Sequence, residues 1–196
     1  MNPSDVDFVV FLGDIIGSES TITNNITKPY YLIQGNHDKN DTKKDFLPHY
    51  VADVKGFQLV IPGFDWQSFN WTQVNTTKPS VVFTHCPTIS TCGSDDTLHK
   101  CGLTMRSAQL DKLNMKAVYG GHTHTHKHLI ENGRLYVNED AFTSSDRGSC
   151  NDGAITAVGY TQIKSDGNVC YKQLSISAGW TGTPTFTSSD CTKGAP

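Results

Sequence analysis

Tyr30-Tyr31-Leu32-Ile33-Gln34-Gly35-Asn36-His37-Asp38 decides how this chain is read. Four apolar or aromatic residues are followed, after Gln34, by a glycine, an amide, an imidazole and a carboxylate. The apolar run is too short for a helix and reads as a buried strand. Gly35 ends it and lets the backbone turn sharply. The same order recurs along the chain. Asp7 to Leu12 ends in Gly13-Asp14, Ser80 to Thr84 runs into His85, and Ala117 to Tyr119 ends in Gly120-Gly121 before His122-Thr123-His124. In open sheets, binding groups gather at the carboxyl ends of strands. One sheet would therefore bring Asp14, Asn36 to Asp38, His85 and His122 to His124 along one edge.

The remaining segments fill in an α/β (α+β) chain. Val51 to Pro62 reads as strand with a turn at Gly56, and Leu135 to Val137 as a further strand. Residues 17–28 are polar, a loop or a poor helix, and residues 39–48 suggest a short charged helix. Residues 63–78 read as loop and edge strand; their aromatic residues Phe64, Trp66, Phe69 and Trp71 read as packing against the sheet, with a substrate cleft or partner surface as the alternative. Met105, Leu110 and Leu113 recur at roughly helical spacing behind Thr104, which is expected to cap that helix. Ala154 to Ile163 and Val169 to Ile176 form a hairpin across Ser165-Asp166-Gly167-Asn168. One domain is expected over residues 1–180, with an irregular Thr/Ser/Pro-rich tail over 181–196 fastened by Cys191.

The bulk numbers limit the function. The 196 residues suffice for one domain, and a net charge of −3 gives no basic field for nucleic acid. No apolar run reaches the length of a membrane span. The six cysteines, none in a C-x-x-C pair, favour disulfides over a zinc knuckle. Cys92 with Cys101 is the expected near pair. Cys86 reads as a disulfide or core thiol, not a nucleophile. Four sequons start at Asn25, Asn40, Asn70 and Asn75. Together these favour a secreted or lumenal glycoprotein, with a cytoplasmic protein as the alternative. No signal peptide is visible, so the start shown here is expected not to be the native one.

Asp14 offers carboxylate oxygens, Asn36 a carbonyl oxygen, and His85, His122 and His124 imidazole nitrogens. Such a mixed set suits borderline divalent ions such as Zn, Mn or Fe. Singly, each motif is an ordinary turn, loop or structural histidine; their order and placement carry the metal reading.

Gly13-Asp14, Gly35-Asn36-His37-Asp38, His85 and Gly121-His122-Thr123-His124 together resemble the signature of the calcineurin-like metallophosphoesterases. The resemblance implies a sandwich of two mixed sheets flanked by helices. It implies two divalent ions (Mn, Fe or Zn) and hydrolysis of a phosphomonoester or phosphodiester by a metal-held water or hydroxide. Asp14 would bridge the ions, Asn36, His85 and His122 would complete one site, and His124 would serve the other. His37 would face the phosphoryl group as general acid or charge stabiliser, oriented by Asp38. The substrate would be a phosphorylated small molecule, lipid or protein. The family's opening Asp-x-His is missing ahead of Asp14, so the first strand is expected to be lacking and one metal site incomplete. That departure supports a second reading, a catalytically weak member binding one metal and a phosphorylated or protein ligand. Gly17 stands where purple acid phosphatases have a tyrosine, which disfavours a ferric-tyrosinate enzyme. His126 and His128 continue the alternation of His122 and His124. They read as surface histidines on the strand leaving the loop, with a third metal site as the alternative, since no oxygen partners are evident nearby in the sequence.

Overall fold

A computed structural model of the chain describes residues 6–15, 24, 26–38, 46, 49–89, 97–124, 126–139, 157–175 and 185–192. Strands β1 (Val9–Phe11) and β2 (Tyr30–Leu32) pair in parallel. A six-stranded mixed sheet follows, built from β3 (Tyr50–Val54), β4 (Phe57–Ile61), β5 (Ser80–Phe83), β6 (Met115–Gly120), β7 (Lys127–Glu131) and β8 (Arg134–Asn138), in the order β3-β4-β5-β6-β8-β7. Its four central strands are parallel, and β3 and β7 run antiparallel at the two edges. Helix α1 (Thr97–Ala108) lies between β5 and β6 in the chain. Strands β9 (Ala157–Ile163) and β10 (Val169–Ser175) form an antiparallel hairpin. Both small sheets are layered on the same face of the central one.

Alternation along the strands explains the layers. Leu59, Ile61, Val81, Ala117, Tyr119, Leu135 and Val137 are buried toward the small sheets, against Ile33, Val169 and Tyr171. Val60, Val82, Val118 and Tyr136 point the other way, into a core with Trp66, Phe69, Met105, Leu110 and Leu113. Trp71 and Phe64 pack against that second core, so the aromatic segment does serve packing. The pairing of β5 with β6 steps from Ser80↔Met115 to Val81↔Ala117, leaving Lys116 as the extra residue of a bulge. The bulge lets Met115 join the helix-side core although Ala117 faces the opposite layer.

Three expectations need correction. The strands leading to Asp14 and Asn36 do not share one sheet with those leading to His85 and His122; they form a separate two-stranded sheet. Thr104 does not cap the helix, which begins seven residues earlier at Thr97. Gly102 falls inside the helix although glycine is a poor helix former. In the fold a Cβ at Gly102 would fall on the Pro87 carbonyl oxygen, so close packing of α1 on the β5–α1 loop requires the glycine. Cys101 does not pair with Cys92 either. It bonds to Cys86, since the helix lays Cys101 over the end of β5. A second disulfide joins Cys170 to Cys191 and fastens the tail to β10, where Thr192 N–H also donates to Val169 O at 2.9 Å. Cys92, Cys150, Asn25, Asn40 and most of the expected 39–48 helix lie outside the described residues.

Candidate metal centre

The ends of β1, β2, β5 and β6 point to one place. β1 leads through Leu12 and Gly13 to Asp14, β2 to Asn36, β5 to His85 and β6 to His122. His85 Nε2 lies 2.9 Å from Asn36 Oδ1, 3.3 Å from Asp14 Oδ2 and 3.3 Å from His122 Nδ1. His122 Nδ1 is 3.0 Å from the same Asn36 oxygen. Asp14, His85 and His122 each offer a ligand atom within 4.8 Å of the others; among the described residues this is the one such group of three.

The proton inventory fixes what this cluster wants. His85 Nδ1 is 2.6 Å from Leu12 O, and a carbonyl only accepts, so Nδ1 carries the proton. In the neutral ring Nε2 is then a lone pair. It faces two oxygens that also only accept. The His85 nitrogen, the Asp14 carboxylate and the Asn36 oxygen thus turn lone pairs toward one another, and with His122 Nδ1 unprotonated a cation among them would satisfy all four. Two imidazole nitrogens, a carboxylate and an amide oxygen fit a borderline divalent ion. Asp14, Asn36, His85 and His122 are the residues that would hold it, and the Leu12 carbonyl orients His85 from behind as outer groups orient metal-binding imidazoles.

The backbone is bent to make this arrangement. Asp14 (φ 55°), His122 (φ 70°) and His124 (φ 50°) all occupy the left-handed region, which costs a residue with a Cβ on the order of 1 kcal/mol or more. Gly35 is needed because a Cβ there would fall on the Asp14 carboxylate. Asp38 is fully buried, and its Oδ2 accepts from Asp14 N–H at 2.7 Å and Gly35 N–H at 2.9 Å. It therefore ties the β1 loop to the β2 loop and does not reach the His37 ring through that oxygen. His37 donates its backbone N–H to Asp14 Oδ1 at 2.9 Å, and the residue is exposed beside the cluster. Burial pushes the Asp38 carboxyl up, against the pull of its two backbone donors. Burial also works to raise Asp14, but the hydrogen bond and charge that His85 offers when its ring is doubly protonated, with the His37 N–H, hold it below the usual carboxylate range.

His124 follows within the same loop but is not one of the three-residue group. The sequence reading missed Asn138. This buried residue closes β8, accepts from Thr88 N–H at 3.2 Å and donates to Ile89 O at 3.1 Å, which pins the loop after His85. A buried asparagine at a strand end was the available signal. Nothing in the sequence marks the Leu12 carbonyl.

Fold and cluster together define a chain of mixed α+β architecture with one possible metal site at strand ends. The model of the calcineurin-like phosphoesterases matches residues 1–126, more than half of the chain, and the chain belongs to that family. Solved structures show the same fold. Vps29 of Entamoeba histolytica in complex with zinc is 15% identical with a TM-score of 0.56, over 90% of this chain and 79% of that one. A conserved uncharacterized protein of Streptococcus pneumoniae, described as a predicted phosphoesterase, is 17% identical with a TM-score of 0.50, over 88% and 75%. Vacuolar Protein Sorting 29 of Cryptosporidium parvum is 18% identical with a TM-score of 0.50, over 87% and 75%. No curated protein sequence matches the chain.

Proposed function

We propose that this protein hydrolyses phosphate esters in a metal-dependent reaction. The observation that carries the reading is the convergence of ligand atoms from Asp14, Asn36, His85 and His122, with an exposed imidazole, His37, beside them. Divalent ions bound there supply Lewis acidity toward a phosphoryl oxygen and acidify water. Asp14 gives its Oδ2 to the cluster and its Oδ1 to the His37 backbone, so the residue nearest the ion also sets the position of the acid. His37 would stand over the phosphoryl group, stabilising charge and protonating the leaving oxygen. Asp38 holds Gly35 and Asp14 in register and so positions His37 through the backbone. His124 would contribute to a second ion with the bridging Asp14 carboxylate.

Two disulfides among the described residues support an oxidising compartment, secreted or lumenal. Asn70 and Asn75 are exposed, and each side-chain oxygen accepts from the hydroxyl of the threonine two residues on, so both sequons lie open to glycosylation. No helix among the described residues is long and apolar enough to cross a membrane.

A second reading keeps one ion and binds a phosphorylated or protein ligand without turnover; the single three-residue group favours it. Chromogenic aryl phosphate monoesters and diesters, offered to the protein loaded with manganese or zinc, separate the two. Turnover that chelation abolishes and metal restores supports the enzyme. Bound metal without turnover of either ester leaves the binding reading.

A further inference from the structure

His126 and His128 do not enter the centre at Asp14, yet they are held as a pair. They flank Lys127, so both rings leave the strand on one face, and His126 Nε2 lies 3.2 Å from His128 Nδ1. The other nitrogen of His126, Nδ1, is 3.4 Å from the Tyr171 hydroxyl and 3.9 Å from Glu139 Oε2. Tyr171 donates to Glu139 Oε1 at 3.0 Å, and its ring stacks on His126 with an interplanar angle of 12°.

Four strands build this arrangement. Lys127 pairs with Asn138 across β7 and β8, so one step outward sets His126 opposite Glu139. Tyr171 comes from β10 and is buried. Gly159, on β9, leaves room for Glu139, whose carboxylate oxygen would collide with a Cβ there.

Protons again decide the roles. The tyrosine gives its one hydroxyl proton to the carboxylate, so its oxygen accepts from His126 Nδ1–H. Nε2 of His126 is then a lone pair aimed at His128. Two imidazole nitrogens on one tetrahedral ion, each about 2.0–2.1 Å from it, stand about 3.3–3.4 Å apart. The observed 3.2 Å separation is close to that. We propose that His126 and His128 chelate one divalent transition cation of the zinc class, with Tyr171 and Glu139 as the outer groups that orient His126. Water fills the other positions. Without the ion, His128 Nδ1–H donates to His126 Nε2; on binding, that proton passes to His128 Nε2, so no net proton is lost. Nitrogen ligands select zinc, nickel or copper over magnesium or calcium.

The proposal does not rest on the phosphoesterase reading, and its test keeps the two apart. The full chain, first loaded at its tight centre, is titrated calorimetrically with zinc. Beyond any ion held by His124 and Asp14, wild type should take up about one further ion per chain, and magnesium should give no such event. His128→Gln, a change at an exposed position, should abolish the event, while His85→Ala should keep it. Tyr171→Phe should weaken it roughly 10–100-fold, as loss of outer support does. An unchanged zinc titration in His128→Gln, with circular dichroism showing the native fold, overturns the site. So does loss of the event in His85→Ala alone.

Discussion

At Asp38 one carboxylate oxygen takes two backbone N–H groups from two different loops. Asp38→Ala would leave both donors buried without an acceptor, at a cost of roughly 2–3 kcal/mol. Urea unfolding should show that loss; a change within error would mean that water replaces the carboxylate. Asn36 and His37 are neighbours with different tasks. Asn36 turns its oxygen onto both imidazoles, whereas His37 meets Asp14 only through its backbone N–H. Asn36→Ala should weaken metal binding at least about tenfold. His37→Ala should keep the metal and lower aryl phosphate turnover by about 10²–10⁴. Equal metal loss in the two variants would refute that division. Asp14, Asn36, His85 and His122 were legible in the sequence because each follows a short apolar strand, and binding groups gather at such strand ends, although these strands lie in two sheets. The oxygen partners of His126 were not legible. Glu139 reaches it through the β7–β8 register and Tyr171 through a separate hairpin, and neither relation is written in local spacing.

Helix α1 shows packing overruling propensity. Glycine to alanine inside a helix ordinarily gains about 1 kcal/mol. At Gly102 the new Cβ would collide with the Pro87 carbonyl oxygen, so Gly102→Ala should instead destabilise the fold by about 1–3 kcal/mol, read as a lower urea midpoint. A raised midpoint would mean the helix can shift away from the loop. The neighbouring Cys86–Cys101 bond spans 15 residues. Its loss in Cys101→Ser should cost about 3 kcal/mol and, because Cys86 follows His85, should reduce metal retention as well. Metal retained in full by a destabilised Cys101→Ser would separate the staple from the site. The hairpins were unequally legible. Lys55-Gly56 and Asn132-Gly133 both close turns with positive φ at both residues. The turn at Gly56 is legible, and so is a strand carrying His126 and His128, whereas the Asn-Gly turn that follows it was missed, although Asn-Gly is a strong hairpin signal.

On the scale of the whole molecule, four strands from two different sheets deliver the centre. β1 and β2 belong to the small parallel sheet, and β5 and β6 to the large one. The site thus sits where two layers meet, and it forms only when both are in place. This explains why the sequence showed which residues converge but not how the sheets divide. Alternating apolar residues mark a strand and its two faces, while sheet membership depends on pairings between distant segments. Metal binding should therefore stabilise the native layering, since an ion that binds only the folded chain adds to its stability by mass action. Elemental analysis of the purified full chain after exhaustive dialysis tests the central claim most directly. The donor set gives about one tightly held divalent ion per chain, against fewer than two in total, because His124 and a share of Asp14 fall short of the three ligands usual for a tight site. His85→Ala should lose that ion. A metal-free wild-type chain, or a His85→Ala variant that retains the full complement, would contradict the account.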